Sequence, residues 1–315
     1  VGSEDDDDDP AASSSSEDSA SRRRVVYVVR HAESRYNAGV RAWSLRALMQ
    51  ERDHGLTPRG RAQCAALRGT LETAASAGDA DAAAMAAAQR LSSPLRRALA
   101  TAALAIPTAD CPNGTVITAL PDAREQCLAP LFARDSEGTP KSHIADAFQA
   151  ELARAQFSEE TSSLGAKDEE ASVVAPPTDH ECFSLDLDAI EAEEWWEVAE
   201  SDAAVARRVG SLLVELYRRA ERGAPVFVGH SRAIRHMFRA AASAPGVVVD
   251  PAFSAARLAN CAVVKVVLEG GRRRRRRPLG SPVTDGAEDS CDDVPSIVAA
   301  DFLFDTTFKG DGSET

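Results

Sequence analysis

The sequence predicts an α/β protein, a three-layer sandwich in which helices flank a mostly parallel central sheet. Short runs of β-branched and apolar residues alternate with stretches of helical periodicity, and the connections between them are short. The first run, Val25–Val29, is apolar on both faces, as expected of a central strand that helices cover on both sides. Arg30 and His31 follow it directly, so polar groups stand where this strand ends.

Two strand–helix units open the folded part of the chain. Thr57-Pro58 supplies a hydroxyl cap followed by proline at the first helical position, and predicts a helix to about Ser76. We expect the alanine-rich residues 77–88 to form a variable surface connection. The stretch 90–92 is the next strand, and Ser93-Pro94 predicts a second capped helix.

The later elements follow from the same patterns. They are, in order, a strand at 115–120, a loop at 121–125, an amphipathic helix that ends near Gly223, a strand at 225–229, a further helix, and a last clear strand at 261–268.

Charged residues are unevenly distributed along the chain. The net charge is −13, but residues 1–20 hold eight acids and no base, and residues 158–200 hold fourteen acids and one lysine. We interpret 1–23 as a disordered acidic tail, because it has too little apolar surface to offset the entropy of ordering. The rest, 24–315, is predicted to be a single domain, and the chain outside residues 1–20 and 158–200 has a positive net charge.

Two interruptions of this domain are expected. An acidic insertion at about 130–197 should contain a helix near 144–155 and a mobile middle, with Trp195-Trp196 packing it onto the domain. Residues 271–280 form a poly-arginine loop, which we interpret as solvated; no nucleic-acid partner is expected.

The sequence excludes a protein that spans a membrane with an apolar helix. The longest strongly apolar run has five residues, whereas a spanning helix needs about 20. The first residues do not resemble a signal peptide, and the six cysteines are too widely spaced for a disulfide framework. We therefore expect a cytoplasmic protein with reduced thiols and no membrane partner.

Ligands of parallel sheets bind beyond the carboxyl ends of the strands. The residues placed there are histidines, arginines and carboxylates, which suit a phosphoryl group. The sequence has no GxxxxGK[ST] loop and no metal-ligand spacing, so we expect no cofactor and no metal. Metal-free phosphoryl transfer needs a nucleophile, cations and an acid; His31, the arginines, and Asp122 or Glu125 supply them.

Four segments carry a family resemblance. Residues 30–37 (RHAESRYN) resemble the RHGExxxN signature of the histidine phosphatase superfamily, the phosphoglycerate-mutase-like group. Residues 56–63 (LTPRGRAQ) resemble its LTxxGxxQA segment, 93–98 (SPLRRA) its SPLxRAxxTA segment, and 228–231 (VGHS) its second-histidine motif. Their order matches that of the family, and the resemblance covers roughly 24–125 and 198–270.

The resemblance implies a phosphoglycerate-mutase-like fold and a role for each matched residue. His31 is the implied nucleophile that forms a phosphohistidine, and Arg30, Arg97 and His230 would hold the phosphoryl oxygens. Asn37 matches a further phosphate contact. Glu125 best matches the general acid, and His230 also belongs to the catalytic set.

Several alternatives stay open. Asp122 could replace Glu125 as the acid, and Arg96, otherwise a solvated first-turn arginine, is the rival of Arg97. The four other histidines are expected to be surface or packing residues: His54, His143, His180 and His236. Ala32 replaces the usual glycine and adds a methyl where the backbone approaches phosphate; Ser231, also in place of glycine, is typical of phosphatase branches.

The predicted function is a phosphatase that hydrolyses a phosphate monoester of a small molecule or a phosphoprotein. A phosphoglycerate mutase is less favoured, because residues 126–129 (QCLA) do not resemble the ERxYG-type continuation of mutases. The third alternative is a catalytically silent protein that binds phosphorylated ligands, although such a module has no need of a nucleophile.

Overall fold

The structure is a computed structural model that describes residues 23–49, 51–108, 114–126, 137–162, 183–241, 249–270 and 294–309. The predicted acidic tail, the middle of the insertion and the poly-arginine loop lie outside the described residues.

Seven strands form one sheet. They are β1 (Arg23–Arg30), β2 (Arg90–Ser92), β3 (Thr115–Ala119), β4 (Phe183–Asp186), β5 (Val226–Gly229), β6 (Val263–Glu269) and β7 (Ser296–Leu303). Their order is β4-β3-β2-β5-β1-β6-β7. The first five strands in this order pair in parallel, and β6 and β7 add an antiparallel margin beside β1.

Nine α-helices surround the sheet within the described residues. They are α1 (Arg35–Arg41), α2 (Leu45–Met49), α3 (Pro58–Ser76), α4 (Ala80–Ala86), α5 (Arg96–Leu104), α6 (Ile144–Ser162), α7 (Asp202–Arg219), α8 (Ser231–Ala241) and α9 (Ala252–Ala255). Short 3₁₀ turns lie at Pro121–Ala123, Lys141–His143 and Ala220–Arg222.

The core has two halves, one on each face of the sheet. In β1, Tyr27 and Val29 pack in the half that contains α3, α4 and α5, whereas Val26 and Val28 pack in the half that contains α7 and α8. Alternate residues of a strand point to opposite faces, so a strand apolar at every position is buried on both. The predicted three-layer sandwich with a mostly parallel sheet is confirmed.

The elements predicted from periodicity and cap residues match the structure closely. Thr57 caps α3, its hydroxyl accepting a hydrogen bond from Gly60 N at 2.9 Å, and the helix ends at Ser76 as expected. The helix expected near 144–155 is α6, and Trp195 is buried, with its indole Nε1 donating to Thr139 O at 2.9 Å.

Two predictions about the first half of the chain are wrong. Residues 77–88 do not form a mere surface connection, because Asp79 caps α4 and that helix buries Ala82 and Met85. The second helix does not begin at Ser93-Pro94. It begins at Arg96, and the side chain of its N-cap residue, Leu95, makes no capping hydrogen bond. Instead Asp53, remote in the chain, accepts a hydrogen bond from Arg96 N at 2.9 Å.

Some elements were not predicted. The strand β4 lies in the acidic insertion and pairs with β3, and β7 pairs with β6, which makes them the two outer strands of the described sheet. Helices α1 and α2 were not expected either. Short or half-buried elements carry little periodicity, so their sequences do not reveal them. Among the described residues, no helix is both long and apolar enough to span a membrane.

Candidate active site

The nucleophile candidate His31 lies directly beyond β1, between the two halves of the core. It is only 4% exposed, and its backbone N–H donates to Gly229 O at 3.0 Å, which ties the end of β1 to the end of β5. Asn260 Nδ2 donates to His31 O at 2.9 Å from the start of the β6 region. The ring therefore sits on a backbone held from both sides.

The contacts of the His31 ring define its tautomer. Nδ1 lies 2.6 Å from the carbonyl oxygen of Ala32, which can only accept a hydrogen bond, so Nδ1 carries the proton. The pKa of His31 is held well below its ordinary value, chiefly by burial and then by the charges of Arg97 and Arg30. A neutral ring protonated at Nδ1 leaves the Nε2 lone pair free for nucleophilic attack.

His230 has the opposite tautomer. Arg97 Nε donates to His230 Nδ1 at 3.4 Å, so the proton of a neutral ring must sit on Nε2. Burial, followed by the charges of Arg97, His31 and Arg30, lowers the pKa of His230 well below its ordinary value. Nε2 is buried and has no hydrogen-bond partner among the described residues.

The two histidine rings are neighbours, with centroids 5.0 Å apart. One neutral ring presents a lone pair and the other a N–H donor. A phosphoryl group between them could be attacked by the first and held by the second.

Two arginines complete this cationic centre. Arg30 is 4% exposed, and its Nη1 donates to Leu258 O; Arg97 is 1% exposed in the first turn of α5. The structure thus brings three of the residues expected to bind phosphate, Arg30, Arg97 and His230, close to His31. The fourth, Asn37, lies on α1 and lines the same cavity as His31.

Asn37, which is predicted to contact phosphate, also has a structural role. It forms a capping box with Ser34, whose backbone N–H donates to Asn37 Oδ1 at 3.2 Å. The carboxamide oxygen therefore stabilises the start of α1. The amide nitrogen is the donor that remains for a phosphoryl oxygen, and Asn37 lines the same cavity as His31.

Residues of the second motif segment, 56–63, hold Glu33 of the first segment, 30–37, in place. Thr57 Oγ1 donates to Glu33 Oε1 at 2.9 Å, and Gln63 Oε1 accepts from Glu33 N at 2.9 Å. A side chain on Gly60 would overlap the carbonyl oxygen of Glu33, so only glycine allows α3 this close. The segment 56–63 thus positions the loop that carries His31.

Glu33 itself is ionised in this arrangement. Burial alone would raise its pKa, but hydrogen bonds from Arg41 and Thr57 hold the pKa of Glu33 below its ordinary value. The resulting ion pair joins α1 to the loop after β1.

The two candidates for the general acid occupy different places. Glu125 lines the cavity; its Oε1 accepts from Gln126 N at 3.0 Å and its Oε2 from Arg232 N at 3.4 Å. Asp122 is not among the cavity-lining residues, and burial raises its pKa against the nearby charges of Arg124 and Arg208.

A buried ion-pair cluster holds the loop that bears Glu125. Glu200 binds Arg124 at 2.6 Å and Arg208 at 2.7 Å. Arg208 Nη1 also donates to the backbone oxygens of Asp122 and Arg124, at 2.7 and 3.0 Å. Glu200 and Arg208 were not predicted as functional residues, because the loop residues that they hold are 76 to 86 residues away in the chain.

Arg96 and Arg97 have different partners. Arg96 is not a solvated first-turn residue, contrary to expectation. It is 9% exposed, it pairs with Glu51 at 2.9 Å, and its Nε donates to Asp53 O at 2.6 Å. Its charge is used to anchor α5, whereas Arg97 lies against His230.

The remaining described histidines do not line the cavity that His31 lines. His54 is buried with its ring 5.7 Å from that of Tyr36, and His143 is exposed in a 3₁₀ turn. His236 lines a smaller cavity of about 240 Å³ and contacts Gln126 Oε1 at 3.3 Å. His180 lies outside the described residues.

The two departures from the family pattern have different environments. The Ala32 side chain is fully buried in the core beside α5, and Ala32 N donates to Thr101 Oγ1 at 3.0 Å. Its methyl therefore does not occupy the phosphate approach, contrary to expectation. Ser231 Oγ is buried without a hydrogen-bond partner among the described residues, and Ser231 lines the cavity.

One cavity of about 650 Å³ is lined by His31 and by most of the other candidate residues, namely Arg30, Asn37, Arg97, Glu125 and Ser231. Its cationic lining outweighs its two carboxylates, Glu33 and Glu125. The cations are Arg30, Arg41, Arg97, Arg232, Arg257 and Lys309. A polyanionic group is therefore the ligand that the cavity suits. Within the described residues, no cluster of three or more histidine, cysteine or acidic side chains is placed to hold a metal ion.

Comparisons with known proteins agree with the motif assignment. The family model of the histidine phosphatase superfamily, branch 1, matches residues 26–173. No curated protein sequence matches this chain.

Several solved structures are similar to this chain. A mycobacterial glucosyl-3-phosphoglycerate phosphatase is 20% identical, with 78% of this chain and 91% of that chain covered and a TM-score of 0.38. An alpha-ribazole phosphatase from Shigella flexneri is 16% identical, with 77% and 89% covered and a TM-score of 0.40. Mycobacterial hydrolase 2 is 19% identical, with 92% and 94% covered and a TM-score of 0.41.

The family model spans the first three motif segments, and the fourth, at 228–231, meets them at the cavity. Residues 26–173 of this chain thus match the histidine phosphatase superfamily, branch 1.

Proposed function

We propose that this protein is a phosphatase that hydrolyses a phosphate monoester through a phosphohistidine on His31. The observation that carries the proposal is the pair of complementary tautomers: His31 offers a lone pair at Nε2, and His230 offers a proton at Nε2. A nucleophile and an oxyanion donor 5.0 Å apart by ring centroid are the parts that a two-step phosphoryl transfer needs.

In the first step, His31 Nε2 attacks the phosphorus atom. The P–N bond forms as the bond between phosphorus and the leaving oxygen breaks. Arg30, Arg97 and His230 stabilise the charge on the phosphoryl oxygens, and the Glu125 carboxylic acid gives its proton to the leaving oxygen.

In the second step, a water molecule replaces the alcohol. The Glu125 carboxylate takes a proton from this water, whose oxygen attacks phosphorus while the P–N bond breaks. Inorganic phosphate leaves, His31 returns to its neutral state and Glu125 is again protonated. Glu125 is favoured over Asp122 for both roles because it lines the cavity with His31.

Release of phosphate from p-nitrophenyl phosphate tests the proposal. We expect His31→Ala to lose at least ~10³-fold in kcat, as removal of a covalent nucleophile does. The native protein should also yield an acid-labile phosphoenzyme that the variant lacks. His143→Ala is the matched control, since His143 is exposed and outside the cavity. Equal activity of the native protein and His31→Ala would refute the mechanism.

Assays on the same protein preparation distinguish the proposed phosphatase from two alternatives. Interconversion of phosphoglycerates with little net release of phosphate would identify a mutase. Binding of phosphorylated ligands with no turnover of any ester would identify a silent binding protein.

A further inference from the structure

Exposed apolar side chains are concentrated in one short segment of the described chain. Seven large apolar residues are exposed among the described residues, and four of them lie within ten positions. These four are Val40 (44% exposed), Trp43 (94%), Leu45 (59%) and Met49 (43%). The other three are scattered valines on β3, on α7 and in the loop before it. A cluster of this kind needs a ligand or a partner to cover it.

The cluster belongs to the cavity that holds His31. Tyr36, Val40, Trp43, Leu45 and Leu48, from α1, α2 and the turn between them, line this cavity; we call these five residues the apolar wall. The capping box at Ser34 attaches α1 directly to the loop after His31. Only residues 32–34 therefore separate the nucleophile His31 from α1, the helix in which the wall begins.

The backbone of Trp43 supports a ligand-binding role. Its φ of 50° lies in the left-handed region, which bulky residues rarely adopt. Two turn hydrogen bonds keep it there: Trp43 N donates to Val40 O at 3.2 Å, and Ser44 N donates to Gly39 O at 3.0 Å. This strained turn presents an indole that contacts little of the protein.

The size of the cavity indicates what the wall contacts. At about 650 Å³, it falls within the roughly 300–1,000 Å³ of sites for drug-sized ligands, and a phosphoryl group fills only a small part of that. The group bonded to the phosphoryl oxygen must occupy the rest. The wall shares the cavity with His31, so this leaving group, rather than a separate partner, is its nearest occupant.

We propose that the apolar wall binds the leaving group of the ester and selects substrates whose leaving group is aromatic or bulky and apolar. This inference rests on the proposed phosphatase function. Removing one large apolar contact should change the relative kcat/KM by about 10- to 100-fold, the ratio expected from the burial of one such side chain.

Benzyl phosphate and ethyl phosphate test the inference, because both release a primary alcohol and differ mainly in the phenyl ring. The native protein should favour benzyl phosphate through a lower KM. In Trp43→Ser and in Leu45→Ser the benzyl-to-ethyl ratio of kcat/KM should fall about tenfold or more. Val116→Ser is the matched control: Val116 is 52% exposed on β3 and does not line the cavity, so the ratio should not change.

The outcomes separate this inference from the proposed function. Hydrolysis of both esters that depends on His31, with no preference for benzyl phosphate or with equal losses in Trp43→Ser, would overturn the inference alone. Absence of His31-dependent hydrolysis of either ester would overturn both. If Trp43→Ser abolished self-association in sedimentation experiments while the ratio stayed unchanged, the wall would be a docking surface for a second copy, and the inference would be wrong.

Discussion

Arg97 Nε donates a hydrogen bond to His230 Nδ1 over 3.4 Å, and this contact determines which ring nitrogen of His230 carries the proton. Both residues are at most 1% exposed, so no bulk water competes for either group. The arginine thus orients a second donor as well as supplying its own charge.

Arg97→Met removes both contributions, and we expect kcat/KM for p-nitrophenyl phosphate to fall by about 10²–10³-fold, as when an oxyanion donor is lost. Arg96→Met, one position away, should act mainly on stability, because it removes the ion pairs of Arg96 with Glu51 and Asp53. Its thermal midpoint should fall more than that of Arg97→Met. The reverse pattern would contradict the assignment of the two arginines.

The stability of the protein should fall as the pH decreases below about 6.5. Burial and nearby arginine charge hold the pKa of His31 and of His230 well below their ordinary value. In that range both histidines bind protons in the unfolded chain but stay neutral in the folded protein. The free energy of unfolding therefore decreases as the pH falls. The expected slope is on the order of 1 kcal/mol per pH unit for each histidine.

Urea denaturation at pH 7.5, 6.5 and 5.5 measures this slope. The double variant His31→Gln/His230→Gln should show a smaller loss between pH 6.5 and 5.5. If the stability of the double variant fell as steeply with pH as that of the native protein, groups other than these two histidines would be responsible for the pH dependence.

Glu125→Gln should lower kcat for an alkyl phosphate by about 10²–10⁴-fold, the usual contribution of a general acid. The loss should be smaller for p-nitrophenyl phosphate, whose leaving group departs without a proton. Asp122→Asn should change neither rate appreciably, because Asp122 does not line the cavity. A larger loss in Asp122→Asn would reverse the assignment.

Glu200→Gln should destabilise the fold by about 3–5 kcal/mol, since it removes the buried carboxylate that pairs with both Arg124 and Arg208. Urea denaturation measures the change in the free energy of unfolding. Glu215→Gln is the comparison: it breaks surface pairs with Arg218 and Arg219 and should cost less than about 1 kcal/mol. Similar losses would mean that the buried cluster contributes no more than a surface pair.

Gly60→Ala and Gly69→Ala place the same methyl group at two positions of α3. At Gly60 it would overlap the carbonyl oxygen of Glu33, whereas at Gly69 nothing lies within 4 Å. We expect Gly69→Ala to raise the free energy of unfolding by about 0.5–1 kcal/mol through helix propensity. Gly60→Ala should lower it and also reduce kcat, because the loop that carries His31 must move. Equal effects would show that the close approach is unimportant.

Much of the fold could be predicted because its signals are local. The run at 25–29 identifies a doubly covered strand, and Thr57-Pro58 marks the start of α3, since β-branched periodicity and cap chemistry depend on near neighbours. The start of α5 could not be predicted in this way. Its cap is supplied by Asp53, more than forty residues earlier in the chain.

The same division applies to the candidate site. The fold class, the order of the motifs and the residue types that converge beyond the strand ends could all be predicted from the sequence. The tautomers of His31 and His230, the separation of Glu125 from Asp122, and the burial of Glu200 against Arg124 and Arg208 became visible only in the folded structure. Hydrogen-bond direction and desolvation depend on atoms from distant segments, so only the folded chain specifies them.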